Sequence, residues 1–235
     1  VKILTDIVWY AAQLSVFEVL FRHTHQIAGW DLNAMRVFMG MLFVVDGLWM
    51  VLFSENLDRM SDRVRKGELD LLLVKPVNAQ FILCMQKMNT AYVGNVCLAI
   101  GWLVYALSRL PGEFSWGRLF VLLVSVPCSL LITYGIRFFF TCLSLIFPRA
   151  EAINYLWYSF YRLGTRPDAI YPRWIRYALL SILPLAFLAS VPARLILQSP
   201  DWALLAACIA MAVLSVYAST LFWKYAIRFY SSASS

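Results

Sequence analysis

A chain of 235 residues that is 62% hydrophobic and only 14% charged departs from soluble domains, which run near half apolar and about a quarter charged. Together with a mean hydropathy of +0.71, this excludes an ordinary water-soluble globule and points to a bilayer as solvent. The formal charge of +7 does not call for nucleic acid, because basic residues collect in the cytoplasmic loops of membrane proteins.

The chain starts at Val1 rather than Met, so further residues are expected to precede it. Residues 1–21 carry Asp6 and Glu18 and lack the basic stretch and cleavage site of a signal peptide. The first apolar segment covers residues 3–21, and a polar turn covers 22–33. The second apolar segment is 34–53, and the most polar stretch of the chain is 54–78. A third segment runs over 89–107, and Pro111, Gly112 and Glu113 form a tight loop. The fourth, 119–147, ends at Pro148 and Arg149. An aromatic stretch, 152–163, precedes a region rich in Pro and Arg, 166–176. Residues 177–197 are apolar but interrupted by Pro184 and Pro192. The last segment is 202–223. The result is an all-α integral membrane protein, a single domain over 1–235 with about six transmembrane helices of roughly 20 residues each.

Orientation follows from the basic residues. The stretch 54–78 holds Arg59, Arg63, Arg65, Lys66 and Lys75, against Arg22 and Arg36 before it and Arg109 and Arg118 after it. This places 54–78 in the cytoplasm and, with six crossings, both termini there as well. Hydropathy alone makes 177–197 the fifth span. The stretch 152–163 inserts poorly by itself, since each of its large apolar residues gains about 0.5 kcal/mol while a central Arg costs ~3 kcal/mol.

No catalytic constellation is present. There is no Gly-rich phosphate loop, no zinc-protease motif and no nucleophile elbow. The segments left between spans are too short for a catalytic domain, so the chain is not expected to be an enzyme. His23 and His25 read as polar loop residues. Cys84, Cys97, Cys128, Cys142 and Cys208 are odd in number and form no C-x-x-C pair; they read as small apolar packing residues. No metal site is expected.

The stretch from Arg65 to Val77 is the most informative. Asp62 and Lys66 stand at i, i+4 spacing, which supports a helix ending before Gly67. Gly67 permits a sharp redirection, and Pro76 stops the apolar run 69–74, which is too short to span. This spacing predicts a short amphipathic helix at the cytoplasmic face, lying flat on the membrane in its plainest reading. Two charges lie at membrane depth, Asp46 in the second segment and Arg137 in the fourth. Such charges are usually paired or face water. They are expected to form an interhelical ion pair, or to line a substrate path or gate. Glu18 and Arg36 are expected to snorkel at the interfaces.

The order Gly67, Glu68, Leu69, Asp70, then Leu72, Leu73, Pro76 and Val77, just after the second span, resembles type-2 ABC exporter permeases. Three further stretches are similar: Ile27 to Trp30, Ile170 to Pro172, and Leu183 to Ala186 followed by Val191 to Ala193. The resemblance covers nearly the whole chain. It implies a coupling helix within 54–78 that docks onto an ATPase subunit through Arg65, Lys66, Gly67, Glu68, Leu69, Asp70, Leu72, Lys75 and Pro76, with Leu73 on its apolar face. It also implies an outer re-entrant element over 166–197, which makes 152–163 the fifth span and turns Asp168 and Tyr171 to the outside.

The implied function is the membrane subunit of an ATP-driven exporter in the cell (inner) membrane. It would move an amphipathic, lipid-like or drug-like cargo together with a second permease and two ATPase subunits. ATP and Mg would bind the ATPase partner, leaving this chain with no cofactor of its own. The alternative is an ion-coupled secondary transporter using Asp46 and Arg137.

Overall fold

The computed structural model describes residues 2–74, 78–111, 116–147, 150–198 and 201–229. Among them every element is helical: α1 (Lys2–His23), α2 (Leu32–Trp49), α3 (Glu55–Asp58), α4 (Met60–Arg65), α5 (Glu68–Leu73), α6 (Ala79–Met85), α7 (Val93–Ser108), α8 (Trp116–Ile146), α9 (Ala150–Gly164), α10 (Arg173–Ser181), α11 (Ser190–Leu197) and α12 (Trp202–Ala226). The helix of α2 continues through a π turn, Met50–Ser54, into α3. Four stretches are long and apolar enough to cross a membrane: Leu32–Asp58, Thr90–Ser108, Trp116–Ile146 and Trp202–Phe229. α9, with 15 residues, is about 22 Å long at 1.5 Å per residue, short of a hydrocarbon core of about 30 Å.

The bundle is assembled from close helix pairs. α7 lies along α2, where Gly40 and Gly47 face Leu103 and Val96. α8 lies along α12, and a Cβ on Gly135 would stand 2.7 Å from the backbone of Ser215. Small residues that let backbones approach are how spans adhere when lipid is as apolar as the side chains. At 31 residues, α8 is about 46 Å long and outreaches the hydrocarbon layer. The core separates into two clusters. The smaller gathers Trp49, Phe53, Leu57, Phe138 and Trp223 at one end, where α4, α5 and α6 close the bundle; that end is called the elbow end below.

Residues 177–197 do not form one continuous helix. They break into the end of α10, turns around Pro184 and the 8-residue α11, which is about 12 Å long. The single helix that hydropathy alone suggests is interrupted here: Pro184 lacks the amide hydrogen that would continue it. α11 is buried along nearly its whole length, held where the Ser129 hydroxyl of α8 donates to the Phe187 carbonyl at 2.7 Å. Glu18 and Arg36, expected to snorkel at the interfaces, bind each other at 2.6 Å.

Candidate functional site

Three places concentrate polar groups that an all-apolar bundle does not need. The first is the elbow. α4 ends at Arg65, and Gly67 takes φ +70°, the left-handed conformation that suits glycine at a helix end. The chain reverses there into α5. The expected redirection at Gly67 is thus found, while two of the three leucines of the expected docking face turn inward. Leu69 and Leu72 are 0% and 7% exposed and belong to the elbow-end core with Leu57, Met60 and Leu83. They hold α5 to the bundle. The outward face consists of Lys66, Glu68, Leu71 and Val74, with Leu73 partly outward and Asp70 half-buried. The helical stagger explains the inversion: the leucine run covers all sides of one turn and a half, and its amphipathic sense is fixed only by what α5 leans on. Lys75 and Pro76 lie outside the described residues, as does the Arg65 side chain.

The second place is a polar ladder where α3, α8 and α9 meet. Arg137 of α8 is 0% exposed. Its Nη2 donates to Asp58 Oδ1 at 2.7 Å and to Asn154 Oδ1 at 2.8 Å. Its guanidinium lies over the rings of Trp157 and Tyr158, at 5.7 and 5.9 Å, an arrangement in which the ring faces favour the cation. Tyr158 donates to Asp58 Oδ2 at 3.1 Å. Farther from the elbow, Tyr161 donates to Asp46 Oδ1 at 2.8 Å. Asn154, Tyr158 and Tyr161 follow one another at helical spacing, so a single face of α9 serves both carboxylates.

The expected Asp46–Arg137 ion pair is therefore corrected. The partner of Arg137 is Asp58, and Asp46 is held by Tyr161. Sequence reasoning missed Asp58 because it stands among the charges of a polar loop, whereas the helix of α2 runs on through the π turn to it. It missed Asn154, Tyr158 and Tyr161 because nothing in an aromatic stretch tells polar rungs from packing rings.

At the other end of the bundle Asp168 is 0% exposed. Its carboxylate meets Arg176 Nε at 2.9 Å and Arg194 Nη2, and its amide donates to the Ser190 hydroxyl at 3.1 Å. One buried carboxylate is thus shared by an arginine of α10 and an arginine of α11, which pins the two helices together. The Asp168 side chain itself is turned into the bundle. The exposed positions nearby are Arg173, Trp174 and Tyr177.

Cys84, Cys128, Cys142 and Cys208 are buried and Cys97 is exposed. Burial pushes the Cys84 thiol up to about 12, which leaves it without the thiolate that reacts.

Among the described residues no group of His, Cys, Asp and Glu is placed to hold a metal ion. The site can brace helices, carry charge at depth and present a small surface at the elbow. The model of a family described as "ABC-2 family transporter protein" matches residues 7–234. No curated protein and no solved structure matches the chain.

Proposed function

Since this chain belongs to the ABC-2 family of transporter membrane proteins, we propose that it is the membrane-spanning permease subunit of an ATP-driven exporter in the cell membrane. The family match carries the reading. The Gly67 elbow at the end of a long span supports it, because a helix joined to two spans moves both when pushed. The partners are ATPase subunits, which hold ATP and Mg, and a second permease, identical or related. Adding α1 and α9 to the four long apolar stretches gives six spans, with the elbow and both termini cytoplasmic. α9 crosses by packing its polar rungs against α2, α3 and α8, with α10 and α11 dipping in from the outside. An aromatic share of 16% suits an amphipathic cargo, exported from the cytoplasm. A secondary transporter driven through Asp46 and Arg137 is not favoured: each is already engaged by a neighbouring side chain, and this family works with ATPases.

The docking surface is Lys66, Glu68, Leu71 and Val74, so exposed positions supply the test. The double variant Leu71→Asp, Val74→Asp is expected to insert normally and to recover little or none of the ATPase in a pull-down from membranes. Leu72→Asp, by contrast, buries a charge and is expected to lower the yield of folded chain. Full recovery of the ATPase with the double variant, together with normal ATP hydrolysis, would falsify the docking role.

The topology has its own test. In a Cys97→Ser background, the remaining cysteines are buried. Arg173→Cys or Tyr177→Cys is expected to react with an impermeant thiol reagent on intact cells. Reaction only after lysis would turn α10 to the cytoplasm and remove the re-entrant arrangement.

A further inference from the structure

The elbow hangs on two legs. One is the end of the second helix, residues 50–58; the other is 84–89, where α6 ends and the chain turns toward α7. Between them stands Asn56, 1% exposed. Its Nδ2 donates to the Cys84 carbonyl at 2.9 Å and to the Lys87 carbonyl at 2.7 Å, with a longer reach of 3.4 Å to Leu52 in its own helix. Its Oδ1 accepts from the Lys87 amide at 3.1 Å. The side-chain amide thus takes both the N–H and the C=O of Lys87, as one strand residue takes another. In the π turn, the Val51 carbonyl accepts from the Asn89 amide at 2.9 Å. The legs are therefore closed by two backbone-like connections, although residues 86–89 lie outside any helix. Two residues beyond Asn56, Asp58 binds Arg137 and Tyr158. The four residues of α3 are bonded at once to the α6–α7 junction, to α8 and to α9.

We propose that Asn56 is a positioning residue for force transmission: it closes the two legs of the elbow into one rigid unit. A displacement of α5 then reaches the second and third spans together and, through Asp58, the α8–α9 pair. The proposal rests on the reading of the elbow as the ATPase docking site. Without Asn56 the Lys87 amide and the Cys84 and Lys87 carbonyls lose buried partners. The non-helical leg then gives way, and a push on α5 is absorbed by parting the legs. Asp at this position keeps the bond from the Lys87 amide but loses every donation, so it is the graded variant.

The test uses the whole complex with its ATPase, reconstituted in lipid. Spin labels at Arg59 and Met88, both exposed, report the distance between the legs. Labels at Trp116 and Trp174 report movement at the far end of the bundle. In the wild type the leg distance is expected to stay narrow and unchanged by ATP while the far-end distance shifts. In Asn56→Ala the leg distribution broadens and the far-end shift falls severalfold, while ATP is still hydrolysed; Asn56→Asp lies between. A merely structural role would lower recovery of the complex and depress hydrolysis and movement in proportion. The proposal is overturned if Asn56→Ala keeps a narrow leg distance, or keeps the full far-end shift, or if ATP changes the leg distance of the wild type. Should Asn56→Ala fail to reach the membrane, Asn56→Asp carries the same comparison. Failure of the wild-type chain to recover any ATPase would instead sink the docking reading, and the leg distance in the chain alone would still decide whether Asn56 ties the legs.

Discussion

Asp58→Ala is expected to lower the stability of the chain by about 3 kcal/mol, the size of effect that follows when a buried charge loses its partner. Arg137 is fully buried, while the Asp58 side chain keeps 36% of its surface exposed, so water entering the vacated side holds the cost near the lower end of the range. Arg137→Leu should also destabilise, by stranding Asp58 and Asn154 and removing the cation from the faces of Trp157 and Tyr158. The double variant Asp58→Ala, Arg137→Leu should be less damaging than the two losses added, by at least about 1 kcal/mol. Apparent melting temperature in detergent and the yield of monodisperse chain are the measurements. Strict additivity would dissolve the pair. A larger coupling of Arg137 to Asp46 than to Asp58 would restore the pairing that the sequence suggested.

Gly135→Leu should prevent α8 and α12 from packing at their present distance, and even Gly135→Ala should be costly. The added Cβ would lie 2.7 Å from the Ser215 carbonyl carbon and oxygen, backbone atoms that cannot swing aside as a side-chain end does. Overpacking of this kind typically costs about 1–3 kcal/mol. Gly101 is the control. A Cβ there meets nothing within 4 Å, and alanine is the better helix former by about 1 kcal/mol. Gly101→Ala should therefore leave the melting temperature unchanged or raised while Gly135→Ala lowers it. Equal behaviour of the two would show that α8 and α12 do not press together at Gly135.

The membrane character and the elbow were legible in the sequence because they follow from length and local chemistry. Long uncharged stretches have one solvent that suits them, and Gly67 followed by a short apolar run and Pro76 has few conformations to choose from. What was not legible depends on packing between distant segments. Leu69 and Leu72 looked like a docking stripe because their helix was considered without its neighbours; only the contact with Leu57, Met60 and Leu83 decides which leucines turn inward. Asp46 and Arg137 looked like partners because they were the two visible charges at depth. Asp58 was counted as a loop residue, yet the helix carries it up against α8. Arg176 was one charge in a region rich in Pro and Arg, and nothing local showed that it would share the buried Asp168 carboxylate with Arg194.

The π turn at Met50–Ser54 also sets the rotational phase of everything that follows it. Asp46 and Asp58 are separated by twelve positions, which in an uninterrupted α-helix at about 100° per residue would set them about 120° apart in azimuth. A π turn takes up one extra residue, which leaves about 20°. That correction brings both carboxylates round to α9, one to Tyr161 and one to Tyr158. The wide turn therefore works as a phase shifter in an otherwise regular rod. The number of residues between the two aspartates, rather than the identity of any one of them, is what keeps the two rungs in line.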